Sequence, residues 1–241
     1  MRLLANLRPV RAWIFGTDGM IVGSAQAHAA AWEETLDSLP FAHRRQEQHR
    51  PLGAEEDHRW AADGRSPFDE AAAILASRGL DLPAGSPGDP PGTATVWGVA
   101  EEKDRRFAET LRKTGVAAWP GTVRLLRALA RRDIPCAAVS ASRYARELLA
   151  SAGVLDYLRT IVDGNEAARL RLPGKPDPAL FVEAARRLGE LIEATAVVED
   201  DPAGVEAGRR GGFGLVVGVN RTAEPERTDE LCGCGADLVV E

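Results

Sequence analysis

The chain has 241 residues, 44% of them hydrophobic and 27% charged, enough for one large globular domain or a core domain carrying a smaller one. Its formal net charge of −6 leaves no whole-chain basic field to recruit nucleic acid or an anionic membrane, although a local anion pocket stays open to it. Three cysteines, Cys136, Cys232 and Cys234, are an odd count at neither a redox nor a four-ligand zinc spacing, and no signal-like leader or long apolar run occurs. A reducing, cytoplasmic setting is the expectation.

In chain order, the first element is a buried strand at "AWIF", which runs into the turn Gly16-Thr17-Asp18-Gly19. About a hundred residues of different character follow. They contain His28, His43, His49 and His58, and the segment "LPAGSPGDPPGTAT", which reads as a flexible excursion without chemistry of its own. From "AAWPGTVRLL" onward the pattern changes again. Short apolar runs at "CAAVS", "TAVVE" and "GLVVGV" alternate with amphipathic helices such as "PGTVRLLRALARRD" and "PALFVEAARRLGE".

That alternation predicts an α/β fold with a Rossmann-like, doubly wound parallel sheet. Strand one belongs to it, so residues 25–112 are expected to form an inserted helical cap domain between the two pieces of the core, 1–24 and 113–241. A cap entering just after strand one would lie over the carboxyl edge of the sheet, where such folds bind ligands, and could exclude water on closing.

Four strand ends carry polar residues. They are Asp18 after the first, Ser140 and Ser142 in "AAVSASRY", Lys175 in "LPGKPDP", and Glu199, Asp200 and Asp201 in "AVVEDDPAG". Carboxylates gathered from neighbouring strands suit magnesium, a hard cation that prefers oxygen ligands. Hydroxyls, backbone amides and one lysine suit a phosphate group.

Taken in order, these segments resemble the haloacid dehalogenase superfamily, and within it the β-phosphoglucomutase-like branch. The likeness covers nearly the whole chain. The resemblance implies a first strand ending in Asp-x-Asp-Gly, whose first Asp forms an aspartyl phosphate and ligates Mg2+ while the second is general acid and base. On that pattern Asp18 is the acid/base and His28 a histidine at the start of the cap. Ser140, with Ala141 and Ser142, and Lys175 hold phosphate, and Arg143 stands where a basic residue for a second phosphate is common. Glu199 and Asp200, with Asp18, are the metal set.

The nucleophile's position is Gly16. With no side chain there, an aspartyl phosphate cannot form, and one metal ligand is lost, so Mg2+ binding is expected to be weakened. Thr17 is no substitute, because consecutive strand side chains face opposite ways. Two further positions depart from the pattern: Gly23, where the family has Asp, and Pro67 in "DGRSPFDE", where close relatives carry an Arg that grips the second phosphate. Tyr144 replaces a small polar residue.

Each candidate also has a plainer reading. Asp18 could cap a helix, Ser140 and Ser142 could be turn hydroxyls, Lys175 a solvated loop residue, and the acidic run a favourable helix start. His43, His49 and His58 read as an exposed helical face, and Trp60, Trp97 and Trp119 as packing residues of the cap and hinge. Three functions remain open: a repurposed acid/base enzyme acting on a small metabolite, phosphorylated or not; a binding protein without turnover; and a residual sugar-phosphate mutase or phosphatase. The oligomeric state is left open.

Overall fold

The computed structural model of the chain describes residues 9–39, 66–222 and 224–241. His43, His49, His58 and Trp60 lie outside them. The chain divides into two compact units, one built from the residues up to Gly23 together with Val116–Glu241, the other Ser24–Gly115.

The first unit opens with β1 (Ala12–Gly16). The second unit then supplies α1 (Ala25–Ser38), α2 (Pro67–Ser77) and α3 (Val96–Thr114). The first unit resumes with α4 (Pro120–Ala130), β2 (Cys136–Val139), α5 (Ala145–Ser151) and β3 (Thr160–Val162). It closes with α6 (Gly164–Leu170), α7 (Ala179–Leu188), β4 (Thr195–Glu199), α8 (Pro202–Arg210), β5 (Leu215–Val219), α9 (Pro225–Gly233) and β6 (Leu238–Val240).

All six strands are parallel, in the order β3-β2-β1-β4-β5-β6. The order reverses at β1, which lies between β2 and β4, and that reversal opens the crevice where ligands of such sheets bind. The alternating side chains of β1 place Ala12 and Ile14 on the face covered by Leu180 and Phe181 of α7, while Trp13 and Phe15 stack together on the other. Burying a side chain such as Phe181 contributes about 1.5–3 kcal/mol. The sheet's central strands read as near-continuous apolar runs because they are covered on both faces.

The helical unit has its own core, in which Trp32, Leu36 and Leu39 meet Ala71, Ile74 and Leu75 of α2 and Val96, Val99 and Ala100 of α3. A buried polar knot pins the three helices. Trp32 Nε1 donates to Glu70 Oε1 at 2.6 Å, and Lys103 Nζ reaches Glu70 Oε2 at 3.2 Å while lying over the Trp32 ring.

The segment expected to be a flexible excursion is tied down. Asp89 accepts from the Ser86 N–H and from Thr95 Oγ1, and Thr95 in turn accepts from the Gly98 N–H to cap α3. Asp89 is held below the usual carboxylate range by the Thr95 hydroxyl first and the Ser86 amide second. The turn-forming composition is that of a locally hydrogen-bonded loop, which polar residues build as readily as a loose one.

Candidate active site at the carboxyl edge of the sheet

β1 ends at Gly16, and the chain leaves it in a tight turn in which the Gly19 N–H donates to Val22 O and the Ile21 N–H to Thr17 O. Gly19 sits at φ +75°, the left-handed region that glycine enters without penalty. Thr17 is buried and donates to Val139 O on β2 at 3.1 Å, so its hydroxyl is spent tying two strands together. Asp18 is half-buried and accepts a 3.0 Å hydrogen bond from Ser140 Oγ, the first residue beyond β2.

Ser140 Oγ also accepts from the Ser142 N–H, and Ser142 Oγ from the Tyr144 N–H. The loop therefore folds on its own hydroxyls. Ala141 O lies 2.3 Å from where a Cβ at Gly164 would stand, and Asn165 donates to Arg143 O, so α6 packs closely beneath the loop.

At the end of β4, Glu199 is fully buried. Its carboxylate fills the room above two glycines: a Cβ at Gly16 would stand 2.6 Å from it, and one at Gly204 2.5 Å. Lys175 Nζ donates to Glu199 Oε1 and, at 3.1 Å, to Asp201 Oδ2, and lies 5.8 Å above the Phe181 ring. Asp201 additionally accepts from the Ala203 N–H and so caps α8. The Asp200 carboxylate packs against Gly19, with a Cβ there only 2.0 Å from Oδ2, and its Oδ1 is buried without a hydrogen-bond partner among the described residues.

These charges perturb one another. Burial pushes the Glu199 carboxyl up, the Lys175 ammonium pulls it down, and the charges of Asp201 and Asp200 push it up again, for a net rise. Burial also dominates at Asp200, which, with the charge of Asp201 added, is pushed up to about 7 against the pull of Lys175 and Arg221. Burial would lower Lys175, yet the Glu199 and Asp201 carboxylates outweigh it and hold it well above an ordinary lysine.

His28 stands in the first turns of α1, buried and stacked on Phe107 with ring centroids 4.0 Å apart. Pro67 opens α2 behind the cap residue Ser66. Gly23 is exposed, and a Cβ there would meet the Trp119 ring at 3.3 Å.

A sequence profile of the haloacid dehalogenase-like hydrolases matches residues 10–212. A β-phosphoglucomutase of Mycobacterium bovis is 35% identical over 241 residues, covering 99% of this chain and 92% of that protein. The chain belongs to the haloacid dehalogenase-like hydrolases, in their β-phosphoglucomutase-like branch. A β-phosphoglucomutase from Bacillus subtilis is 28% identical over 96% of this chain and 89% of its own. The crystal structure of a β-phosphoglucomutase from Clostridium difficile shares the fold, with a TM-score of 0.74 at 22% identity over 96% of this chain and 91% of that one.

Haloacid dehalogenase-like hydrolases generally use Mg2+, and the arrangement here can be tested against that ion. Among the described residues, no three carboxylate, imidazole or thiolate side chains are gathered closely enough to hold one ion by side chains alone. Gly16 has no ligand to give, Glu199 is bonded to Lys175, and Asp18 is bonded to Ser140. Glu199 and Asp200 stand next to each other at the end of β4, and the Asp200 Oδ1 is buried without a hydrogen-bond partner among the described residues. It is a ligand of the kind magnesium takes, since that ion is held through one or two carboxylates and keeps several waters.

Sequence reasoning named Asp201 among the strand-end carboxylates without a partner for it, and overlooked two arginines. Asp201 joins the Lys175 pair as well as capping α8. Arg227 on α9 donates to Asp200 O at 2.7 Å, and Arg221 after β5 donates to Met20 O at 2.8 Å while stacking on Trp119. Both arginines follow β5, whose carboxyl end adjoins that of β4, so the strand order would have pointed to them.

Proposed function

We propose that this member of the β-phosphoglucomutase-like branch works by acid/base chemistry at Asp18 on a small metabolite, phosphorylated or not, and without an aspartyl phosphate. The observation that carries this reading is the packing at residue 16. Glycine stands at the nucleophile's place in the family pattern, and the Glu199 carboxylate fills the room an aspartate would need. Proton transfer requires only a positioned group with a suitable pKa, and Asp18 is positioned by Ser140. Elimination, isomerisation and cyclisation are the reaction classes such a group serves, with Glu199 assisting.

Phosphorus NMR of the native chain with Mg2+ and β-glucose 1-phosphate, run beside Gly16→Asp and Asp18→Asn, tests the reading. The native chain is expected to transfer no phosphoryl group. Turnover that Asp18→Asn abolishes would instead support a residual mutase, the activity for which the M. bovis relative is named. Activity gained by Gly16→Asp over a silent native chain would support a phosphate pocket put to another use, since the new Cβ meets only the flexible end of Glu199, which shifts to admit it.

A second reading, binding without turnover, draws support from the internal engagement of Ser140, Ser142 and Lys175, the groups expected to meet phosphate. A metabolite that raises the melting temperature by mass action and is never consumed would favour it.

A further inference from the structure

We propose that Arg221 and Trp119 form an oxyanion-binding subsite beside the candidate active site, taking a carboxylate or phosphoryl group of the metabolite. This deepens the proposed function and rests on its reading that a small metabolite enters at the carboxyl edge of the sheet. Arg221 is the second residue beyond β5, and its side chain reaches back across that edge. Nη2 donates to Met20 O at 2.8 Å and to Thr122 Oγ1 at 3.3 Å, while the guanidinium lies 4.8 Å over the Trp119 ring. The residues around it are fixed as well: Asn220 Nδ2 donates to Glu224 O and to Thr228 Oγ1, and Asn220 Oδ1 accepts from the Thr222 N–H. A guanidinium held on an aromatic face and anchored through one nitrogen has little freedom left to lose when an anion arrives.

Its other donors are open. Among the described residues, Nε and Nη1 donate to no group, and no carboxylate forms an ion pair with Arg221. The neighbouring arginines differ in this respect, since Arg209 pairs with Asp237, Arg210 with Glu206 and Arg227 with Glu230. Asp200 is near enough for its charge to act on Arg221, yet the two form no ion pair. Arg221 and Trp119 are both exposed, so the cation is accessible to a ligand. An oxyanion accepting from Nε or Nη1 there gains a charge-assisted hydrogen bond from a group already held in place.

The test uses the isotope-labelled full chain, in which arginine Nε–H groups give resonances of their own in a proton–nitrogen correlation spectrum. The Arg221 signal is identified by its loss in Arg221→Lys. Inorganic phosphate and acetate are titrated separately at fixed ionic strength, with chloride as the control, because screening of bare charge is then the same in all three. The Arg221 signal is expected to shift saturably with phosphate or acetate and not with chloride, and the tighter anion names the group the metabolite carries. Signals of the carboxylate-paired Arg209 and Arg210 are expected to stay in place. Gly23→Asp, whose Cβ meets the Trp119 ring at 3.3 Å, sets a carboxylate beside the stacked cation and is expected to weaken the binding about threefold.

A shift that stays linear, or that chloride reproduces, would overturn the proposal. So would saturable phosphate binding that moves the Ser140 and Ser142 amides while the Arg221 signal stays still, since the anion then sits at that loop alone. Either failure leaves the acid/base reading of Asp18 standing, because no reaction is followed, whereas phosphoryl turnover would strike that reading without moving the Arg221 signal. Should Arg221→Lys fail to fold, through-bond correlation from the Arg221 backbone amide identifies the signal, and the native titration decides by itself.

Discussion

At the scale of single residues, the site depends on side chains that are missing. Gly16, Gly19 and Gly204 each face a carboxylate closer than a Cβ would permit, and they let Glu199 and Asp200 fold back onto the sheet edge. Gly19→Ala separates the two reasons for a glycine at that position. The left-handed backbone alone costs about 1–2 kcal/mol, which for a protein of this size lowers the melting temperature by about 2–4 °C per kcal/mol. Gly212 shares the conformation, at φ +73°, with nothing within 4 Å of its Cβ, so Gly212→Ala reports the backbone cost by itself. Gly19→Ala is expected to melt clearly below Gly212→Ala, because it also displaces the Asp200 carboxylate. Equal melting temperatures would mean that Asp200 does not pack there. The polar residues at the strand ends were legible in the sequence, since an apolar run followed by Asp, Ser or Glu marks a carboxyl edge. Their pairings were not: spacing says nothing about which way a long side chain such as Glu199 or Lys175 turns, or about which charges neutralise one another once buried.

At the scale of elements, long apolar strands and amphipathic helices declared themselves, and the shortest strands did not. β3 and β6 hold three residues each, too few for a period to register, and Leu238 and Val240 on the edge strand are exposed besides. What anchors β3 is the chemistry of its neighbours. Arg187 on α7 donates to Glu183 at 2.7 Å, to Glu166 on α6, and to Ile161 O on β3 at 3.4 Å, so one guanidinium joins three elements. The Arg169 and Arg187 guanidiniums beside Glu166 hold its carboxyl down at about 2, and Arg186 with Arg187 does the same for Glu183. A carboxyl depressed by folding contributes stability that is complete above its unfolded value, near 4.5, and is lost as pH falls through the folded value. Arg187→Ala should therefore melt below the native chain at neutral pH, with the gap closing between about pH 4.5 and about pH 2. A gap that held constant down to the acid end would mean that Arg187 acts through packing and the Ile161 carbonyl alone.

For the whole molecule, the sequence indicated an insertion between residues 25 and 112, while the compact units divide at Gly23–Ser24 and Gly115–Val116. The difference of a few residues has a local cause. Val22 bridges antiparallel to Ala118, the Gly23 N–H donates to Ala117 O at 3.3 Å, and the Trp119 N–H donates to Ile21 O at 2.9 Å. The outgoing and returning strands thus form a short ribbon that belongs to the sheet unit, and composition carries no mark of where such a ribbon ends. Arg221 braces it through Met20 O and the Trp119 ring, and Thr122 Oγ1 adds a 3.0 Å bond to Met20 O. Because the ends already lie side by side, replacing residues 24–115 with a short Gly/Ser linker closes a loop across hydrogen-bonded neighbours, for which the entropic cost is small. The sheet unit carries a hydrophobic core drawn wholly from its own residues, with Ala12 and Ile14 against Leu180 and Phe181. The excised chain is therefore expected to keep an α/β circular dichroism spectrum and a single cooperative melting transition. Loss of cooperativity, with dye-binding apolar surface, would show instead that the sheet unit draws part of its stability from the inserted helices.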